Sequence, residues 1–193
     1  MNLIWIAGIL SAIVLILQVF FKTFFSRIIK NPTTFILIFV GTMELVLIYF
    51  SVRQYYEWSV HAPGLLPPYT SFSYFIMYIA TRLWAPYVAS ALCGFVWWIS
   101  MKFLNARYEN KFFYPDEFLF APLALFFVGY PGVLLYIVSF FALYILWSAG
   151  QTIWQRELAR VSMRYLWIPL ALCVILIQQL YVSHLSWWVM LKI

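Results

Sequence analysis

The stretch "ARYENKFFYPDEFLFAPLALFFVGYPGVLLYIVSFFALYILWSAGQ", Ala106 to Gln151, decides the fold. It opens with charges of both signs, among them Asp116, the only Asp in the chain. An apolar run follows, broken once at Gly129-Tyr130-Pro131-Gly132. From Glu117 to Val128 a helix would rise only about 18 Å at roughly 1.5 Å per residue. A hydrocarbon core is about 30 Å thick. The Gly-Tyr-Pro-Gly break ends a helix, because Pro lacks an N–H and clashes with the preceding turn. The expectation is a short helical hairpin: Glu117 to Val128 goes in, and Val133 to Ala149 runs back to the starting side.

Working outward, the whole chain shares this character. It is 66% hydrophobic and 9% charged, against about 25% charged residues in a soluble domain. So little charge cannot cover a water-soluble globule. The chain therefore reads as an all-α, polytopic integral membrane protein, a single transmembrane domain over residues 1–193. Its Trp and Tyr gather at the ends of apolar runs, as interfacial belts do. Cys93 and Cys173 fall inside apolar runs and do not suggest a disulfide framework. The first apolar run is too long for a cleavable signal, and basic residues follow it rather than precede it.

In chain order, Leu3 to Phe21 is a first span. Asn31-Pro32-Thr33 reads as a helix start, since Pro is tolerated in a first turn. Thr34 to Val52 is a second span, with Glu44 in its interior. Arg53 to Ser71 is expected as a loop, because "HAPGLLPPYTS" cannot form a continuous helix. Arg82 and Pro86 divide the next apolar run into an interfacial or tilted segment, Phe72 to Thr81, and a third span, Leu83 to Leu104. Small residues recur there every fourth position, Ala85, Ala89 and Cys93 in one register and Ser90 and Gly94 in the next. That spacing lets another helix approach closely. Tyr165 to Val182 is the last span, and Ser183 to Ile193 an amphipathic tail in the interface. The count is about six membrane helices, including the short hairpin.

Loop charge orients this map. Lys22, Arg27, Lys30, Lys102, Arg107, Lys111, Arg156, Arg160 and Arg164 fall on one side, and Arg53, Arg82 and Lys192 on the other. Such an imbalance marks the basic side as cytoplasmic. The expectation is a multi-pass protein of the cytoplasmic membrane with both termini outside the cytoplasm. Orientation also explains the net charge of +6, so a nucleic-acid partner is not implied. The lipid bilayer is the partner that composition requires.

Few residues carry chemistry. Glu44 is an acid deep in a predicted span, with Gln178 and Gln179 at a similar depth. Intramembrane acids are costly and often functional. Without a second charge at that depth, the expected role of Glu44 is a hydrogen bond joining two helices. His61 and His184, with Glu57, have no ligand spacing, so no metal or other cofactor is expected. A Ser/His/Asp triad is excluded because Asp116 and the two histidines fall on opposite sides. Glu109, Asp116 and Glu117 are grouped with Arg107 and Lys111. Asp116 and Glu117 stand at a helix start, where negative charge is favoured by the helix dipole. Capping is their expected role. The other possibility is catalytic, since two close carboxylates can share a proton and activate water.

"YPDEFLFAPLALFFVGYPGVLLYIV" resembles the C-terminal half of the prepilin peptidases, membrane aspartic endopeptidases. Their pattern is Gly-x-Gly-Asp at a cytoplasmic helix start, a short apolar helix, a Gly-aromatic-Pro turn and a second helix. Asp116 falls close to the family's second catalytic Asp and Gly129-Tyr130-Pro131 falls at the turn. The resemblance covers Phe112 to Leu146, with a weaker echo over Tyr165 to Leu172. The catalytic pattern is not retained. Phe113 and Pro115 stand at the two glycine positions, and the first catalytic Asp has no Asp counterpart. Glu57 has about the right separation but the opposite side of the membrane. The resemblance implies the architecture, and the expected function is a non-catalytic membrane component packing against partner transmembrane helices. The alternative is a divergent aspartic-type endopeptidase acting on pilin-like leader peptides at the cytoplasmic interface, with Asp116, Glu117 and Glu109 as candidates. A small-solute transporter would want more midplane polar groups than Glu44, Gln178 and Gln179 supply.

Overall fold

A computed structural model describes residues 3–20, 32–109, 112–155 and 166–184. Among these residues the chain is all-helical. The helices are α1 (Leu3–Phe20), α2 (Pro32–His61), α3 (Phe72–Ile79), α4 (Ala85–Arg107), α5 (Glu117–Val128), α6 (Gly132–Gln155) and α7 (Trp167–Leu180). Among the described residues, three stretches are long and apolar enough to cross a membrane: Leu37–His61, Phe72–Arg107 and Gly132–Gln151. Ile4–Gln18, Glu117–Val128 and Trp167–Leu180 are shorter apolar helices. About six membrane helices are expected from the sequence; among the described residues, three stretches have the length and composition of a full crossing.

The short helix α5 is the hub. It packs against α4, α7, α1, α6 and α2, and every residue from Leu119 to Val128 except Pro122 is buried. A helix apolar on all sides must be enclosed on all sides, and α5 is. Gly129 then reverses the chain at φ 68°, a left-handed conformation open to Gly at no steric cost. The Tyr130 N–H donates to Pro86 O at 3.0 Å, tying the turn to the start of α4. The hairpin is unequal: α5 has 12 residues and α6 has 24. The returning helix expected over Val133 to Ala149 is present and runs further, from Gly132 to Gln155. Nothing in "VLLYIVSFFALYILWSAG" breaks the helix, so α6 continues to Gln155.

Two further boundaries differ from the sequence reading. The loop expected from Arg53 begins only after His61. Arg53 Nη2 lies 3.6 Å from Glu57 Oε1, and His61 Nε2 lies 3.7 Å from Glu57 Oε2. These i,i+4 pairs support a helix through a segment with few aliphatic residues. The segment Phe72 to Thr81 is not separate from the third span. A π turn, Ala80–Trp84, joins α3 to α4 into one continuous 36-residue helix. The wider turn accommodates Pro86, whose ring would clash in a regular α-helical register. Trp84 Nε1 donates to Ser51 Oγ at 3.2 Å, holding this turn against α2.

Of the two small-residue registers on α4, Ser90 and Gly94 make the close approach. Ser90 Oγ lies 3.0 Å from Tyr87 O and 3.4 Å from Phe126 O. A Cβ at Gly94 would meet Pro122 O at 3.0 Å. The helix they admit is α5 of the same chain. The loop basics Lys22, Arg27, Lys30, Lys111, Arg156, Arg160 and Arg164, Lys192 and most of the expected tail lie outside the described residues.

Candidate functional site

The segment leading into α5 is built by one side chain that sequence reasoning missed. Asn105, in the last turn of α4, is 4% exposed. Its Nδ2 donates to Phe113 O at 2.8 Å, and its Oδ1 accepts from Phe113 N at 2.9 Å. An amide offers a donor and an acceptor side by side, so it replaces a strand partner for one residue. This pairing folds residues 112–114 back against α4. Glu117 Oε2 accepts from Tyr114 N at 3.2 Å, securing the next residue.

Asp116 and Glu117 are 5% and 1% exposed. Asp116 occupies the N-cap position of α5, but its side chain makes no capping hydrogen bond. Its backbone carbonyl accepts from the N–H groups of Leu119 and Phe120. Neither acid makes a side-chain cap bond to the first turn of α5: Glu117 instead reaches back to the N–H of Tyr114, ahead of the helix. Buried polar groups in proteins are hydrogen-bonded, and this placement gives the Glu117 carboxylate a backbone donor.

Glu117 also lines a cavity of about 360 Å³ between α4 and α6. Trp97, Ser100, Met101 and Leu104 form the α4 wall, Phe140, Phe141 and Tyr144 the α6 wall, and Phe112 and Phe113 one end. The α6 wall is braced from behind. Phe140 stacks on Trp167 with centroids 4.1 Å apart, and Tyr136 Oη donates to Trp167 O at 3.0 Å. A second cleft of about 290 Å³ opens on the other side of α4, between Val40 of α2 and Phe95 and Trp98 of α4. It is lined by apolar side chains and Gly94.

No known protein family matches this chain, and neither the curated proteins nor the solved structures provide a similar one. The site therefore has to be read from its own geometry.

The remaining predicted residues are dispersed. Glu109 is exposed, just past the end of α4, at φ 53°. Glu44 is exposed on the outer face of α2 and forms no hydrogen bond or ion pair with any described residue. The expected bridge between two helices of this chain is not made there. Gln178 is buried in α7, with its Oε1 pressed against Gly132 at the start of α6. A Cβ at Gly132 would run into that oxygen and would lie 2.8 Å from Val128 Cγ1. Gln179 is half-buried. His61 and His184 are both exposed, and Cys93 and Cys173 are free. Among the described residues no three His, Cys, Asp or Glu side chains gather as metal ligands.

Proposed function

We propose that this chain is a non-catalytic integral membrane subunit that packs against partner transmembrane helices, in a prepilin-peptidase-like architecture. It has six membrane helices and both termini outside the cytoplasm. The outer face of α2 carries the reading. Leu37, Ile38, Leu45, Ile48, Tyr49 and Val52 are exposed there, and Glu44 lies among them. In lipid an acid at mid-helix is expensive and generally faces protein or a wet cavity. A partner helix with a hydrogen-bond donor or basic side chain at that depth satisfies the carboxyl, and the surrounding apolar side chains supply close packing.

The test is a photo-crosslinking side chain at Ile48, in native membranes, with and without Glu44→Leu. Ile48 lies one turn from Glu44 on the same face. The expected result is a discrete higher-mass adduct that Glu44→Leu abolishes while the purified chain keeps its thermal stability. An adduct unaffected by Glu44→Leu, or no adduct at all, refutes the reading.

A divergent leader peptidase is the competing reading. It is favoured by Glu117 standing in the wall of a cleft next to a buried Asp116. Against it stand Phe113 and Pro115, which replace the glycines that would admit a substrate backbone. Asp116→Asn separates the two. A catalytic Asp loses orders of magnitude in rate on this change at little cost in stability, whereas the proposed subunit keeps its function.

A further inference from the structure

The cleft between α2 and α4 has no part in the partner-helix reading, and a cation stands over one of its walls. Val40 of α2 forms one side, and Ala91, Phe95 and Trp98 of α4 form the other. Leu123 and Phe126 of α5 also line it. These two are buried while Phe95 is exposed, so the cleft has its floor on the hub helix and its mouth at the surface. Its volume is about 290 Å³. One turn beyond Trp98, the Lys102 ammonium sits over the Trp98 ring, 3.6 Å from its centroid. Phe95 stacks on Trp98 with centroids 6.0 Å apart. We propose that this cleft binds an anionic phospholipid, with an acyl chain between α2 and α4 and the phosphate on Lys102.

Size, lining and charge select this occupant. One turn of a helix about 10 Å across and 5.4 Å in pitch fills roughly 400 Å³. A partner helix therefore does not enter the cleft, whereas a single acyl chain is thin enough to do so. The lining side chains are apolar. Left empty, they would lose the dispersion contacts that a hydrocarbon chain supplies. A free anion would supply none of these. Charge then fixes the head group. A Lys side chain ordinarily carries its ammonium away from apolar surface. Attraction to the ring quadrupole instead draws Lys102 back over the cleft wall. Lys102 is exposed, and an ammonium has three N–H donors, so it can hold a ring and a phosphate together. The order along α4 is apolar wall, aromatic pair, cation, which complements an acyl chain followed by a phosphate. A zwitterionic head group would bring a second ammonium beside Lys102, and an anionic one would not. This inference rests on the α4 face and does not use Glu44, so it and the partner-helix reading can fail separately.

The test is native mass spectrometry of the full chain from mild detergent. Phosphatidylglycerol and phosphatidylethanolamine with identical acyl chains are offered at equal concentration. The expected result is one tightly retained phosphatidylglycerol per chain, favoured over phosphatidylethanolamine by about fivefold, the scale set by one Lys beside an anionic head group. Lys102→Gln removes the charge from an exposed position, and the preference should fall to within about twofold of parity. Arg107→Gln removes a charge from the last turn of the same helix and should leave the preference unchanged. Ala91→Phe is an independent variant. Ala91 is exposed on the α4 wall, and a phenyl ring there fills the cleft, so retention of both lipids should be lost. Equal retention of the two lipids by the unaltered chain overturns the proposal. So does a preference that survives Lys102→Gln, or one that Arg107→Gln reduces as much. Retention unaffected by Ala91→Phe overturns the placement of the chain in the cleft. Displacement of the lipid by inorganic phosphate overturns the lipid assignment in favour of a free-anion site. A photo-crosslinking side chain at Phe95 in native membranes should give an adduct of phospholipid mass. A protein adduct there overturns the proposal in favour of a partner's side chain.

Discussion

Removing the amide of Asn105 is the most direct perturbation of the site. Asn105→Ala deletes both hydrogen bonds to Phe113, at 2.8 and 2.9 Å. A hydrogen bond contributes a net of about 0.5 to 1.5 kcal/mol in soluble proteins. In a membrane protein the average is nearer 0.6 kcal/mol, because the unfolded chain in lipid also finds partners. Two bonds therefore contribute about 1 to 3 kcal/mol. Asn105→Asp is the sharper control. It has nearly the same shape and keeps the acceptor for Phe113 N–H, but it sets a carboxylate oxygen against Phe113 O. It should be at least as destabilising as Ala. The assay is equilibrium unfolding in mixed micelles, followed by tryptophan fluorescence, because Trp97 lies in the cleft wall beside this segment. Loss of less than about 0.5 kcal/mol for Ala, below the lower bound set by two such bonds, would refute the reasoning. An Asp variant as stable as the parent would refute it equally.

Gly132→Ala should destabilise by about 1 to 3 kcal/mol through overpacking against Gln178 and Val128. In a Gln178→Ala background that cost should shrink, giving a favourable coupling of at least about 0.5 kcal/mol in a double-mutant cycle. Additive losses would show that the two residues do not meet. Tyr136→Phe removes the bond to Trp167 O and should cost about 1 kcal/mol in the same unfolding assay, with no change in fold by circular dichroism. Topology is open to labelling. A single cysteine at Leu65, exposed in the turn after α2, should react with an impermeant maleimide applied outside cells. One at Tyr108, exposed at the end of α4, should react only after permeabilisation, and the reverse pattern would invert the orientation.

The chain's own order of residues carried the helical class, the apolar runs and the breaks at Gly129-Tyr130-Pro131-Gly132 and within "HAPGLLPPYTS". Those are local properties. Gly129-Tyr130-Pro131-Gly132 must turn wherever it is placed, and "HAPGLLPPYTS" must end a helix. Segment lengths were less legible. The Arg53, Glu57 and His61 ladder extends α2 past its aliphatic part, and the π turn before Pro86 joins two segments that a regular helix would separate. Facing was least legible. Helices such as α5 are apolar on every side, so no polar stripe marks which side is inward. Only tertiary packing decided that the 12-residue α5 is the hub. The same packing decided that Ser90 and Gly94, rather than Cys93, meet α5, and that Glu44 points away from the bundle. Asn105 could not be found from its neighbours, because its partners are backbone groups of a segment folded back on it. Asp116 and Glu117 were visible as acids at a helix start. Their burial was not, since it is set by how the elements around the start of α5 pack.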